Sequence, residues 1–294
     1  MVSINDEDID CKIWDRTQLI LQIFKKHATT SEAKLQIRLA ELNHRGPELS
    51  GMGIYMSQQA GGIGTRGVGE TYTETIRRHW QKEIKTVENK LKKITLNRHQ
   101  QMKSRKQSGI PTVSIIGYTN AGKTSLFNRI SKKKDKVQNA LFATLDSSVS
   151  TIFLQNIGKK IFVSDTIGFI HDLPTQLIDA FKSTLLETVN ADILLHVIDV
   201  SDENMFLKVK TVNQILIDLN LEKVQQIFVF NKVDKISTSK QKAVSKDYSQ
   251  KEHIFISAKN NINIDKLINL IEIKLLSMGL ERAKHLDYLD NQTK

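Results

Sequence analysis

A short segment with a glycine near each end, which follows an apolar, strand-like segment, has the residue types and spacing to bind phosphate. Gly117, Gly122, Lys123 and Thr124 fit the pattern G-x-x-x-x-G-K-[ST] between TVSII and the helical pattern TSLFNRI. The glycines let backbone N–H groups close around phosphate oxygens, and the helix N-terminus adds a favourable dipole. We expect Lys123 to reach the β- and γ-phosphates and the Thr124 hydroxyl to bind Mg²⁺. The same candidate loop includes Tyr118, Thr119, Asn120, Ala121 and Ser125.

A second candidate phosphate motif, D-x-x-G, ends the apolar segment KKIFVSD. Asp165 is expected to bring a carboxylate near the metal, and Gly168 to bring a backbone N–H near the γ-phosphate. Such a site also needs a threonine whose hydroxyl reaches Mg²⁺ only when the γ-phosphate is present. Thr144 in LFATLD is the best candidate, and Thr151 is an alternative that falls in a strand-like pattern. The sequence thus assigns catalysis to Lys123, Thr144 and Gly168, and Mg²⁺ binding to Thr124, Thr144 and Asp165.

Two further motifs predict selectivity for guanine. They follow the apolar segments QIFVF and HIFI, and their residues are Asn231, Lys232, Asp234, Ser257, Ala258 and Lys259. The Asp234 carboxylate can accept hydrogen bonds from guanine N1–H and from the exocyclic amine. Adenine lacks these donors, so the carboxylate would be buried unpaired against it, at a large cost. Because all four motifs follow strand ends in the right order, they predict a GTP site and disfavour an ATPase.

The residue after Gly168 predicts slow intrinsic hydrolysis. Phe169 occupies the position where Ras-like enzymes carry the glutamine that orients the attacking water, which phenylalanine cannot do. A partner or an extra cation should therefore orient the attacking water or supply positive charge in place of the glutamine. Asn120 is a candidate ligand for a monovalent cation such as K⁺, or it supports the loop through local hydrogen bonds.

These motifs need a sheet to position them, and the chain has the corresponding pattern. Short apolar runs alternate with amphipathic stretches over residues 110–278, which predicts a mostly parallel sheet flanked by helices, the α/β fold of a P-loop GTPase domain. Residues 1–109 predict an antiparallel α-helical hairpin with helix caps at Asp15 and at Thr30 or Ser31. A seam of apolar residues spaced close to every 3.5 residues runs from Ile76 to Ile94. We expect a glycine-rich loop at 46–70 and a short C-terminal tail at 279–294.

Positive charge is concentrated in the predicted hairpin. The chain has a formal charge of +11, and residues 76–106 contain eleven basic residues against two acidic ones, a net charge of +9. Charge runs are usually solvated helix faces, but the near absence of acidic partners favours a polyanion such as RNA. The candidate RNA-binding residues are Arg66, Arg77, Arg78, Lys82 and Lys85.

The cysteine content and the hydropathy of the chain indicate in which cellular compartment the protein is expected. Cys11 is the single cysteine, so the chain cannot form an internal disulfide. The N-terminus lacks the pattern of a signal peptide, and no run approaches 18 apolar residues. We therefore expect a cytoplasmic protein without an integral membrane segment.

Several strings together resemble the HflX family of ribosome-associated GTPases. They include GGIGTRGVGETYTETIRR, GYTNAGKTSLFN, LFATLD and DTIGFIHDLPTQLIDAFKSTL, with NKVD and SAK. The resemblance implies a hairpin and glycine-rich loop that enter the large ribosomal subunit, and a GTPase that the ribosome stimulates. Members are implicated in splitting or rescuing stalled ribosomes and in subunit assembly. The expected partners are therefore GTP, GDP and large-subunit ribosomal RNA, and we expect a monomer.

Departures from the family pattern leave a second function open. The resemblance implies an additional α/β subdomain of about a hundred residues ahead of WDRTQLIL, so the chain is expected to be a shortened version. A proline and an acidic residue of the glycine-rich motif are missing, and Ser147-Ser148-Val149 replaces the usual Pro-Thr-Thr. The alternative is a GTP-regulated RNA- or ribosome-binding module without splitting activity.

Overall fold

A mixed sheet lies at the centre of the computed structural model, which describes residues 14–59, 68–132, 148–166, 168–169, 188 and 190–280. Its strands within these ranges are β1 Thr112–Gly117, β2 Ser148–Leu154, β3 Lys159–Asp165, β4 Ile193–Asp199, β5 Gln225–Asn231 and β6 His253–Phe255. The strand order is β2-β3-β1-β4-β5-β6. β2 pairs antiparallel with β3, and all other pairs are parallel. The predicted fold class is confirmed.

Helices precede the sheet and alternate with its strands. Those described are α1 Arg16–His27, α2 Ser31–Gln59, α3 Val68–Gln107, α4 Lys123–Ser131, α5 Met205–Asp218, α6 Thr238–Asp247 and α7 Ile264–Ser277. The Asp15 carboxylate caps α1 by accepting a hydrogen bond from Gln18 N at 2.6 Å. Thr30 Oγ1 caps α2 by accepting from Ala33 N at 3.2 Å. Over the described ranges, no helix combines the length and apolar character needed to cross a membrane.

The second and third helices pack against each other as an antiparallel pair. Arg38 and Glu83 form an ion pair at 2.6 Å, and Arg98 and Glu32 form another at 3.2 Å. Val87, in the middle of the predicted seam, is buried between these ion pairs. The hydrophobic seam and the two ion pairs therefore set the register of the hairpin.

Helices occupy most of the segment 46–70 that was predicted to be a glycine-rich loop. α2 continues through Gln59 and α3 begins at Val68, while residues 60–67 lie outside the described part of the chain. A glycine inside a helix costs only about 1 kcal/mol relative to alanine, which tertiary packing can outweigh. At Gly46 the missing side chain is itself useful, because an added Cβ would lie 2.2 Å from Cη2 of Trp80. Helix packing overrides the local propensity here.

The helical region and the sheet share one hydrophobic core. Alternate residues of a strand face opposite sides of the sheet, so Leu194 and Leu195 of β4 enter different clusters. The Leu195 side is covered by α4 and α7. The Leu194 side is covered by α5 together with α1 and α2, whose contributions include Leu21, Phe24 and Ile37. Of the predicted hairpin subdomain at 1–109, the described helices α1 and α2 therefore pack directly on the sheet.

Candidate nucleotide-binding site

The predicted phosphate loop connects β1 to α4, and two of its glycines admit no side chain. Gly117 has φ +147°, and an added Cβ would lie 2.2 Å from the carbonyl oxygen of Val197 in the neighbouring strand. Gly122 has φ +95°, and its added Cβ would lie 2.2 Å from Asn231 Nδ2. Glycine is thus required at both positions by backbone conformation and by close packing.

Lys123 begins α4 and lies inside the loop with only 6% of its surface exposed. Its Nζ donates a hydrogen bond to the carbonyl oxygen of Tyr118 at 3.0 Å. Burial lowers the pKa of Lys123 to about 8, against the opposing attraction of the Asp165 carboxylate. An added Cβ on Gly168 would lie 3.0 Å from this Nζ, so the two residues predicted to contact the γ-phosphate are neighbours.

The two described candidate Mg²⁺ ligands are also adjacent. Thr124 Oγ1 donates a hydrogen bond to Asp165 Oδ2 at 2.7 Å, and Asp165 is fully buried at the end of β3. Mg²⁺ prefers oxygen ligands and commonly binds through one or two protein groups plus phosphates and water. The donor set therefore fits Mg²⁺. In the described part of the chain, no cluster of three or more His, Cys, Asp or Glu residues could hold a metal by itself.

Asn231 joins the predicted phosphate loop to the segment predicted to select guanine. Its Nδ2 donates to the carbonyl oxygen of Ala121 at 2.9 Å, and its Oδ1 accepts from Ala258 N at 3.0 Å. Because Asn231 is buried, both hydrogen bonds are shielded from water. One side chain thus holds three of the sequence motifs in a fixed relation.

Lys232 makes a second bridge at the same edge of the sheet. Its Nζ donates to the carbonyl oxygen of Asn120 at 2.9 Å and to Asp199 Oδ2 at 2.7 Å. Asp199 was not among the residues predicted from the sequence. A signal was present, because it ends the apolar run DILLHVID as Asp165 ends KKIFVSD.

The remaining residues predicted to select guanine lie on the two loops that follow β5 and β6. Asp234 is exposed in a short 3-10 helix at Val233–Lys235, and Ser257 is buried. Arg129 of α4 donates to the carbonyl oxygens of Ala258 at 3.2 Å and Lys259 at 3.0 Å. Sequence reasoning missed Arg129, because a helical arginine 129 residues away carries no local signal of this contact.

Phe169 turns away from the phosphate loop. Its backbone pairs with the loop, with Thr119 N donating to Phe169 O at 2.8 Å and Phe169 N donating to Gly117 O at 3.1 Å. Its side chain is 1% exposed and belongs to the core formed with α1 and α2. The motif that should sense the γ-phosphate is therefore tied directly to the helical region.

Asn120 has the geometry of an available ligand. It is exposed, with φ +61°, and its carbonyl oxygen is engaged by Lys232. Among the described residues, its side chain makes no hydrogen bond that would support the loop. Both interpretations of Asn120, as a K⁺ ligand and as a support of the loop, stay predictions.

Two sequence-predicted residues, Thr144 and Arg66, lie outside the described residues. Thr151, the alternative to Thr144, pairs with Phe162 inside β2, as the strand-like pattern predicts. Ser125 lies in the first turn of α4.

The described RNA-binding candidates lie on α3. Arg77, Arg78, Lys82 and Lys85 are all exposed, although Arg78 also pairs with Glu74 at 2.6 Å. Such a pair one helical turn apart in water is weak and can exchange for a phosphate. These side chains can therefore reach a polyanion.

The chain matches two family models. Residues 27–105 match the family described as the GTP-binding GTPase middle region, and residues 112–232 match the family described as 50S ribosome-binding GTPase.

Curated relatives match over most of the chain. GTPase HflX of Caldanaerobacter subterraneus is 41% identical over 98% of this chain and 68% of its own length. GTPase HflX of Escherichia coli is 37% identical over 90% of this chain and 62% of its own length. The same-named protein of Methanocaldococcus jannaschii is 38% identical over 91% of this chain and 66% of its own length. The chain thus spans about two thirds of the length of these relatives.

Solved structures agree with this likeness. A GTP-binding protein from Sulfolobus solfataricus in complex with GDP is 26% identical, with a TM-score of 0.57 over 90% of this chain and 73% of that chain. A complex of SsGBP and GDP is 30% identical, with a TM-score of 0.58 over 90% of this chain and 74% of that chain.

Proposed function

Because the chain belongs to the HflX family of GTPases, we propose that it binds GTP with Mg²⁺, hydrolyses it to GDP and phosphate, and engages the large ribosomal subunit in the cytoplasm. The observation that carries the nucleotide part is the double hydrogen bond of Asn231. It holds the phosphate loop and the guanine-selecting loop in one geometry, as simultaneous recognition of both ends of a nucleotide requires.

Phosphate binding would use the loop N–H groups, the Lys123 ammonium and the N-terminus of α4. The anionic phosphates would favour the charged form of Lys123 and displace it from the carbonyl of Tyr118. Thr124 and Asp165 would hold Mg²⁺, with Thr144 joining them in the GTP-bound state. Mg²⁺ neutralises negative charge on the phosphate oxygens.

Hydrolysis would proceed without a water-orienting side chain from Phe169, which packs against the helices. Intrinsic turnover should therefore be slow. Asn120 would bind K⁺ beside the phosphates, where an added positive charge stabilises the transition state. Turnover should be faster in KCl than in NaCl at equal ionic strength, and equal rates would refute the K⁺ site.

Ribosome binding would use the basic face of α3, which is opposite its buried seam. Arg78, Lys82, Lys85, Lys92 and Lys103 are all exposed, and their spacing of 4, 3, 7 and 11 residues places them on one helical face. The face is about 38 Å long at 1.5 Å per residue. A straight line of cations of this length suits the phosphate backbone of RNA.

The bound nucleotide would influence the helical arm, the pair formed by α2 and α3, through Phe169. Gly168 adjoins Lys123 at the phosphate site, and the next side chain lies in the core with Leu21 and Phe24 of α1. Any movement of Gly168 toward a γ-phosphate therefore displaces a residue packed against the helical region. GTP would thus set the pose of the arm, and hydrolysis would release it.

Sedimentation with purified ribosomes tests this function. We expect cosedimentation with a nonhydrolysable GTP analogue, and loss of it in a Lys82→Glu/Lys85→Glu variant. A Lys242→Glu/Lys246→Glu variant changes the net charge equally on exposed positions of α6 and should still bind. Binding should also weaken steeply with salt.

The outcomes separate the possible roles. Subunit separation with GTP supports splitting, and cosedimentation without separation supports the regulatory module. Equal loss in both variants would mean that binding depends on net charge alone, and no association of the unaltered protein would refute the ribosomal role.

A further inference from the structure

The turn at residues 258–261, which follows β6, is held by hydrogen bonds from several of its backbone groups. Ser257 N donates to Ile262 O at 3.2 Å, and Ile262 N donates to Ser257 O at 3.0 Å, which closes the turn. Inside it, Asn260 N donates to Ser257 Oγ at 3.1 Å. Ala258 N donates to Asn231 Oδ1 at 3.0 Å. These bonds fix the conformation of the turn independently of a ligand.

Lys259 N is the backbone donor that remains accessible among the residues predicted to contact the guanine carbonyl. The other two predicted residues, Ser257 and Ala258, already use their N–H groups within the protein. Within the described part of the chain, no acceptor takes a hydrogen bond from Lys259 N, and the residue is exposed. A ligand that accepts a hydrogen bond from this segment can therefore use Lys259 N–H without breaking an existing bond.

The carbonyl groups of the same segment are held by Arg129 of α4. Arg129 Nε donates to Ala258 O at 3.2 Å, and its Nη2 donates to Lys259 O at 3.0 Å. The planar guanidinium presents its N–H groups as a fixed fork, which suits two neighbouring carbonyl oxygens. Since Asn231 bonds the N–H of Ala258 and Arg129 bonds its carbonyl, Ala258 is held on both sides.

The contact of Arg129 with Ala258 O also orients the N–H of Lys259. The two groups belong to one peptide unit, and the described part of the chain has no cis peptide bond, so they point in opposite directions. The N–H of Lys259 therefore points away from the guanidinium. A charged donor on the carbonyl oxygen also polarises the peptide unit, which makes its N–H a stronger donor.

We propose that Arg129 is a positioning residue for guanine recognition, which holds the peptide unit between Ala258 and Lys259 so that Lys259 N–H donates to the oxygen at C6 of guanine. This role deepens the proposed GTP-binding function and rests on it. Asp234 would accept from N1–H and from the exocyclic amine, so nucleotide analogues can separate the two contacts. In 6-thio-GDP the oxygen at C6 is replaced by sulfur, a weak acceptor, whereas inosine diphosphate keeps the oxygen and lacks the amine.

Calorimetry with GDP, 6-thio-GDP and inosine diphosphate tests the proposal. We expect the unaltered chain to bind GDP about fivefold more tightly than 6-thio-GDP, because the analogue forfeits a hydrogen bond. Arg129→Met should reduce this preference to less than about twofold. The preference for GDP over inosine diphosphate, which reports the contact of Asp234, should stay unchanged. Lys266→Met removes an exposed positive charge from the first turn of α7 and should keep both preferences.

A merely structural role of Arg129 gives a different result. A loosened turn would lower the affinities for all three nucleotides by the same factor and leave both preferences as they are, which would overturn the proposal. Loss of the preference over 6-thio-GDP in Lys266→Met as well would also overturn it, because the effect would then follow from net charge.

A measurement on the unaltered chain does not depend on the folding of a variant. In the ¹⁵N-labelled chain, the amide proton of Lys259 should shift downfield with GDP and by less with 6-thio-GDP, because a hydrogen bond deshields the proton. Equal shifts with the two nucleotides would overturn the proposal. Binding of GDP with unchanged preferences in Arg129→Met would refute the role of Arg129 alone, whereas failure of the unaltered chain to bind any of the three nucleotides would refute the proposed function as well.

Discussion

Phe169→Gln tests whether the side chain after Gly168 faces the phosphates or the hydrophobic core. If the side chain faced the phosphates, glutamine would restore a water-orienting group and accelerate hydrolysis. In the structure the side chain is 1% exposed in the core shared with α1 and α2. Glutamine should therefore cost stability and leave basal hydrolysis slow.

The size of the loss follows from the burial of Phe169. Removing a fully buried phenylalanine from its apolar surroundings forfeits about 1.5–3 kcal/mol of transfer free energy. Burying an amide there without a partner costs about 1–3 kcal/mol more. We expect the free energy of unfolding to fall by about 4 kcal/mol.

Urea unfolding with GDP present measures this loss, and single-turnover GTP hydrolysis measures the rate. Phe206→Gln is the matched control, because Phe206 at the start of α5 is 56% exposed and should change stability by less than about 0.5 kcal/mol. The hydrolysis rate of both variants should stay within about twofold of the unaltered chain. A tenfold faster Phe169→Gln variant, or one as stable as its control, would refute the buried position of this side chain.

Asn231→Ala removes both bridging hydrogen bonds and should lower both the affinity for GDP and the stability of the fold. Asn156→Ala, the control, removes hydrogen bonds far from the site and should lower stability alone. Equal GDP affinities of the two variants, measured by calorimetry, would contradict this prediction. Gly122→Ala should weaken GDP binding at least about tenfold through φ +95° and the clash with Asn231, whereas Gly109→Ala, at φ +66° with open space, should leave affinity unchanged. GDP binding at pH 8.5 should take up about 0.7 proton, because nearby phosphates raise the pKa of Lys123 above its value of about 8 in the free protein. Calorimetry in buffers of different ionisation enthalpy measures this uptake, which should vanish near pH 6 and in Lys123→Met.

Much of the nucleotide site could be predicted from the sequence because its parts are local. The phosphate loop needs glycines, a lysine and a hydroxyl at short fixed spacing, and each later motif follows an apolar strand. Parallel strands bring their carboxyl ends to one edge, so recognising strands was enough to bring Asp165 and Asn231 together. The seam of α3 was equally readable, because helical periodicity reports a buried face directly.

Other features depend on groups that are distant in the chain. The helix through Gly46 forms because Trp80 packs there, although local propensity indicates a loop. The contacts of Arg129 with the Lys259 segment bring together residues that no periodic pattern relates.

The sequence by itself determined which chemistry is predicted for this protein, because residue types at short spacing specify the groups expected to meet phosphate and guanine. Tertiary structure alone decided where Phe169 points, since a phenylalanine after Gly168 has no local preference between the phosphates and a core. That core exists only because α1 and α2 cover the sheet, and burial of the ring then outweighs any alternative. The contact between Phe169 and the helical region is therefore a property of the fold.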